Sequence, residues 1–161
     1  MRTLRTNHCV TSAFVNQSLP EARNPRGSLW FKNNKLYSYR YHLATIMPDN
    51  VLFINTNLIK YSVTTTAHIA DLRQTAADLQ YFVIPLDLQP NEVIDWYWDN
   101  IEKNIAKCLR ARINKYHYKR TILQTIDSIE QYVDYMQISR STSEYLRKHI
   151  ITQQLFKHQI L

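Results

Sequence analysis

Seven cations, Lys103, Lys107, Arg110, Arg112, Lys115, Lys119 and Arg120, follow one another across residues 103–120 with no acid among them. That is the side-chain chemistry of polyanion binding. Lysine and arginine neutralise phosphates and release their counterions, and Tyr116 and Tyr118, which flank His117, offer rings on which a base can stack. On a helix Lys103, Lys107 and Arg110 share one side, while Arg112, Lys115 and Lys119 lie on another, so a phosphate backbone tracking a groove would meet both. The competing reading is a solvated charged face. Asp127, Glu130 and Asp134 form an acidic stripe further along, and an antiparallel contact with it would cancel the field.

Other groups invite chemistry less directly. Glu92, Asp95, Asp99 and Glu102 recur at three and four residues on one helical face, a spacing that would suit a divalent metal. Acids favour helix starts, however, and Asp99 precedes Lys103 in the stabilising i,i+4 order, so helix electrostatics account for the row. The histidines and the pair Cys9 and Cys108 lack metal-ligand spacing, and a chain with one glycine cannot build a glycine-rich phosphate cradle. No metal and no cofactor are expected. His42 lies near Ser38 and Tyr39, and His68 follows Ser62, Thr64, Thr65 and Thr66, so either imidazole has a hydroxyl for acid–base work. Neither is accompanied by a carboxylate orienter or a nucleophile elbow.

Aromatic residues supply a second candidate surface. Ser28–Lys32 and Lys35–Tyr41 are two strand-like runs separated by Asn33-Asn34, and asparagine tolerates the positive φ of a two-residue turn. That register sets Trp30 opposite Tyr37 and places Tyr39, Tyr41, Lys32 and Lys35 on their face, with Leu29, Phe31, Leu36, Ser38, Arg40 and His42 on the other. The Trp/Tyr/Lys face then reads either as a platform for unpaired bases or as ordinary aromatic core.

The elements that position these residues divide the chain in two. A short amphipathic helix around Val10, Ala13 and Phe14 ends before Pro20, and Arg23–Gly27 reads as a loop. After the hairpin, Leu43–Met47 and Val51–Ile54 continue an antiparallel meander. A helix starts near Thr64 to Thr66 and runs toward Leu79, and Tyr81–Ile84 returns to the sheet. From Asn91 the pattern is helical: Ile94, Trp98, Ile101 and Ile105, then Ile122, Ile126, Ile129, Val133 and Met136, then Leu146 and Ile150. The expected fold class is α+β, a small antiparallel sheet with flanking helices over 1–89, followed by a basic bundle of about three helices over 90–161, the whole forming one folding unit.

Length and composition agree with that scale. At 161 residues, 45% hydrophobic and +7 in formal charge, the chain is long enough for one packed core and basic enough to attract polyanions. The longest apolar runs fall far short of a membrane span. Distant cysteines and the lack of a leader at the start of the sequence lead us to expect reduced thiols and a cytoplasmic location in the host cell.

Ala22-Arg23-Asn24, Gly27-Ser28-Leu29-Trp30-Phe31, Tyr37-Ser38-Tyr39, His42 and Tyr61-Ser62-Val63-Thr64-Thr65-Thr66-Ala67-His68 resemble, in order and spacing, a family of small phage- and plasmid-borne proteins of unknown function. Its members carry Y-S-Y-G-x-H-F and Y-S-x-T-T-x-x-H segments. The resemblance covers residues 8–80, and this chain departs from it at Arg40, where the family has glycine, and at Leu43, where it has phenylalanine. It implies a mobile-element origin and supplies no activity.

The leading expectation is a non-enzymatic accessory protein that docks on nucleic acid or on a host nucleoprotein complex and inhibits a defence nuclease in the manner of an anti-CRISPR protein. The contact would be carried by the seven cations and by Trp30, Tyr37 and Tyr39. An enzyme acting on nucleic acid through His42 or His68, and a structural protein that forms a homodimer through its helices, are the alternatives.

Overall fold

The structure, a computed structural model, describes residues 1–138. It divides into two compact units, Met1–Asp87 and Leu88–Leu161. The first holds β1 (Arg2–Thr3), α1 (Asn7–Val15), β2 (Glu21–Arg23), β3 (Leu29–Lys32), β4 (Lys35–Ser38), β5 (Tyr41–Ile46), β6 (Leu52–Asn55), a 3-10 turn (Thr56–Leu58), α2 (Val63–Thr75) and β7 (Tyr81–Ile84). The second begins with α3 (Pro90–Arg110) and α4 (Lys115–Met136). The expected third helix, through Leu146 and Ile150, lies outside the described residues.

The α+β class stands, but the small antiparallel meander does not. The strands form one seven-stranded sheet in sequential order, antiparallel from β2 to β6 and parallel at both edges, where β1 meets β2 and β6 meets β7. A parallel neighbour requires a crossover, which α1 and α2 supply. Sequence pattern misses β1 and β2 because two and three residues are too few to show alternation.

Alternation does build the core. Leu29, Phe31, Leu36, Ala44, Ile46, Leu52 and Ile54 are buried on one face of the sheet, where they form a cluster with Val10 and Phe14 of α1 and Ile69 and Leu72 of α2. Phe14 tilts against Phe31 with ring centroids 5.7 Å apart. Each of the leucine, isoleucine, valine and phenylalanine side chains contributes roughly 1.5–3 kcal/mol relative to exposure. Helix α2 starts slightly earlier than its hydroxyls suggest: Ser62 is the cap, its Oγ accepting from the Thr65 amide at 3.1 Å.

The β3–β4 hairpin has the expected register, with Asn33 at φ +53° and Trp30 opposite Tyr37. Lys35–Tyr41 is not one strand, however. The chain turns at Tyr39-Arg40, with Tyr39 at φ +55°, and re-enters the sheet at Tyr41 opposite Ser38. A bulge follows, because Tyr37 faces His42 while Leu36 faces Ala44, leaving Leu43 as the extra residue. The bulge rephases β5, so that consecutive Leu43 and Ala44 are both buried. The turn at Tyr39-Arg40 sets Tyr41 on the face of Ser38 and His42 on the face of Tyr37, the reverse of the expected assignment.

In the second unit Pro90 opens α3, and Gln89 and Glu92 form a capping box in which Glu92 Oε2 accepts from the Gln89 amide at 2.7 Å. A four-residue connection, Ala111–Asn114, returns the chain as α4. Tyr97 contacts Tyr132 edge-on at 6.1 Å, and Cys108 Sγ lies 3.7 Å from the Lys115 carbonyl, so the two helices run antiparallel. Ile101, Ile105 and Cys108 are buried on α3, and Ile122, Ile129 and Val133 on α4. Burial pushes the Tyr132 phenol up to about 12. No described helix is long and apolar enough to cross a membrane.

Candidate functional site

In the first unit, the residues of the two motif segments meet. Ser38 ends β4, while Ser62 caps α2 and Thr65 and His68 lie in its first two turns. Ser38 Oγ is 2.9 Å from His68 Nδ1 and 3.1 Å from Thr65 Oγ1, and Ser62 Oγ donates to Thr65 Oγ1 at 3.0 Å. One arrangement of protons satisfies every group: Ser62 donates to Thr65, Thr65 to Ser38 and Ser38 to a neutral His68, whose own proton sits on Nε2. Desolvation holds His68 below its ordinary value, against a smaller opposing pull from Asp71. Ser38 and Thr65 are 0% exposed and His68 1%, so this hydroxyl–imidazole chain works as a clamp between sheet and helix. A substrate carbonyl has no path to Ser38 Oγ in this conformation.

Around the clamp stands an exposed rim that sequence reading did not assemble. Tyr61 O–H donates to Tyr41 Oη at 2.6 Å, and Arg40 Nη2 donates to the same oxygen at 3.4 Å. These bonds, from Tyr61 first and then Arg40, hold the Tyr41 phenol below its ordinary value, while Tyr61 is raised by the same contact. Arg40 also lies 5.4 Å from the Tyr41 ring centroid. Tyr39 sits beside them, 51% exposed, with its amide donating to the Ser28 carbonyl at 2.7 Å and its carbonyl accepting from Trp30 Nε1 at 2.6 Å. A bulky side chain at φ +55° is strained by about 1–2 kcal/mol, and these two bonds hold it there.

On the opposite face Trp30 stacks on Tyr37 at 4.2 Å and 9°, and Tyr37 contacts His42 at 5.4 Å. Lys32 and Lys35, exposed, lie on the same face at the hairpin end. Of the expected platform, then, Trp30 and Tyr37 come together. Tyr39 leaves that face for the turn. His42 Nε2 lies 2.9 Å from Thr45 Oγ1 and 3.2 Å from the Ala44 carbonyl. Burial first, then Lys35, lowers the His42 pKa.

In the second unit the antiparallel hairpin sorts charge by end. All seven cations of the run lie in the last part of α3, the connection and the start of α4. The hairpin's acids Glu92, Asp95, Asp99, Asp127, Glu130 and Asp134 lie toward the opposite, open end, and Glu102 stands near mid-helix, next to Lys103. The antiparallel pairing runs the stripe of α4 along the acidic part of α3 and the basic start of α4 along the basic end of α3. Counted together, seven positive and seven negative charges cancel over 88–138, and the chain's excess of +7 resides elsewhere. Among the described residues, Lys103, Lys107, Arg112, Lys115 and Arg120 make no ion pair. Ile113 and Tyr116 project among them, 78% and 77% exposed.

Helix electrostatics explain only half of this pattern. On α3, acids at the start and Lys107 and Arg110 in the last turn suit the macrodipole. On α4 the order is inverted: Lys115, Lys119 and Arg120 crowd the amino end, whose first turn has no acid, and Asn114 provides no side-chain cap. In the first turn, where Lys115 lies, such a charge costs about 0.3–1 kcal/mol, and the effect falls off beyond it.

Among the described residues no three His, Cys, Asp or Glu side chains gather into a group able to hold a metal ion. Comparison with protein-family models, curated proteins and solved structures finds no match.

Proposed function

We propose that the chain is a non-enzymatic accessory protein, of the phage- or plasmid-borne type that its motifs resemble, and that it docks on nucleic acid or a nucleoprotein complex through the α3–α4 corner. The observation that carries this reading is the charge order on α4. It opposes the helix dipole and sets like charges side by side across the hairpin, so neither helix stability nor hairpin packing accounts for it. A concentrated positive field accounts for both, and the exposed Tyr116 and Ile113 give the field an aromatic and apolar contact.

The test is a titration of labelled nucleic acid at increasing salt. Counterion release makes log K fall linearly with log salt, and Lys115→Glu with Arg120→Glu removes two candidate phosphate partners. That variant should bind more weakly and show a slope shallower by about one unit for each phosphate no longer neutralised. Binding that is absent, or indifferent to salt, for both nucleic acid and nucleoprotein defeats the reading.

A second reading, self-association, is favoured by the same sorting, because a hairpin basic at one end and acidic at the other is complementary to an antiparallel copy of itself. Lys107→Glu with Arg120→Glu, and separately Glu102→Lys with Asp127→Lys, should each abolish a low-salt dimer measured by sedimentation, and mixing the two variants should restore it. A monomeric mixture rules this out.

A further inference from the structure

Two loops of the first unit converge on one exposed patch, and each does so through a non-glycine residue in the left-handed region. Tyr39, at φ +55°, displays its own ring and turns Arg40 outward; Lys60, at φ +67°, precedes Tyr61, which is 53% exposed. Strain of this kind persists only where the surrounding structure enforces it. Here the enforcement is visible: both polar backbone atoms of Tyr39 are held, and the chain from the exposed Ser62 through the buried Thr65, Ser38 and His68 ties the end of β4 to the start of α2. About half of each of the Tyr39 and Tyr61 side chains stays open to solvent, although the Tyr39 ring also lies 6.4 Å from that of His68 and the Tyr61 ring 4.8 Å from that of Tyr41.

The chemistry displayed is specific. Tyr41 Oη already accepts from Tyr61 and Arg40, so its own hydrogen is free to donate outward, and Arg40 spends one N–H there and keeps the rest of its fork. Two exposed rings flank these donors, and Lys60 adds a cation from the second loop. The segment between Glu21 and Asp49 contains Arg23, Arg26, Lys32, Lys35 and Arg40 and no acid. Donors for an anion beside open aromatic faces match a phosphate attached to an unstacked base. A duplex offers the phosphate but keeps its bases stacked, whereas a single strand offers both.

We infer that Tyr39, Arg40, Tyr41, Lys60 and Tyr61 form a site for one unstacked nucleotide of single-stranded nucleic acid, its phosphate on Arg40 and Tyr41 and its base on Tyr39 or Tyr61. The inference rests on the nucleic-acid reading above and adds to it the state of the strand. Its residues are in a different unit from the basic corner, so the two can fail separately.

The full chain is titrated, at one fixed salt concentration, with a short labelled single strand, with its duplex and with a mononucleotide. The single strand should bind best. Arg40→Gln with Tyr61→Ala should weaken single-strand binding about 5- to 100-fold, the range expected when one base no longer stacks on a ring, and weaken duplex binding, which loses at most one phosphate contact, much less. Tyr61→Phe, which keeps the ring, should retain most of the preference. Circular dichroism confirms that these surface variants fold. A 5-iodouracil strand should crosslink to Tyr39 or Tyr61, as located by mass spectrometry. Equal weakening on single strand and duplex overturns the site, as does crosslinking confined to the α3–α4 corner. A mononucleotide bound as tightly as the strand overturns the strand assignment. If the patch variant loses single-strand binding and Lys115→Glu/Arg120→Glu does not, the site stands and the corner reading falls; the reverse pattern removes the site alone.

Discussion

The side chains of Ser38 and His68 decide how the first unit responds to pH. His68 is neutral in the fold because burial lowers its pKa below the 6.5 of the unfolded chain, and the half-buried His42 is lowered too. As pH falls, the unfolded chain takes up these protons first, so the contribution is fully present above about 6.5 and is lost as pH drops toward the folded values. Urea unfolding should therefore give a lower midpoint at about pH 5.5 than at about pH 7.5, and His68→Gln should flatten that dependence. A midpoint independent of pH in the wild type removes the argument. Ser38→Ala leaves His68 Nδ1 and Thr65 Oγ1 short of a partner inside the core, which costs about 1–3 kcal/mol of unfolding free energy. Sequence spacing showed that hydroxyls stand near each histidine, but it paired His42 with Ser38. The true partner of Ser38 is 30 residues away and comes from another element, a contact that only the β–α–β crossover creates.

Among the elements, the turn at Tyr39-Arg40 and helix α4 carry the same lesson: each violates a local preference that the molecule has kept. Tyr39→Gly relieves the positive φ, and because the Tyr39 side chain is exposed the backbone gain should dominate, raising the unfolding midpoint while reducing single-strand binding. Lys115→Glu places an acid in the first turn of α4 and should stabilise the hairpin by about 0.3–1 kcal/mol while weakening polyanion binding. Opposite signs in stability and binding are the result to look for; a decrease in both would make these residues structural. Periodicity made α3, α4 and the central strands legible, since each is long enough to show its pattern. It could not reveal the Leu43 bulge, because one extra residue reverses the faces of everything downstream without changing the residue types. The faces of Tyr39, Tyr41 and His42 have a different cause, the two-residue turn at Tyr39-Arg40, which carries neither glycine nor proline to mark it in the sequence.

For the molecule as a whole, residues 90–161 are basic as expected, with eleven Lys or Arg against eight acids, but the excess does not sit in the described hairpin. Residues 1–87 carry nine Lys or Arg against five acids, the described hairpin is balanced, and the rest of the excess belongs to residues 139–161. A four-residue connection is what turns a balanced sequence into a polarised object. The centres of opposite charge on each helix are about ten residues apart, roughly 15 Å at 1.5 Å per residue, nearly twice the screening length of about 8 Å at physiological ionic strength. The hairpin therefore adds almost nothing to the isoelectric point, yet in the field of a polyanion it experiences a torque. An approaching strand would rotate the protein until the Ala111–Asn114 connection led, so the corner would shape the rate and orientation of encounter more than the strength of the final complex.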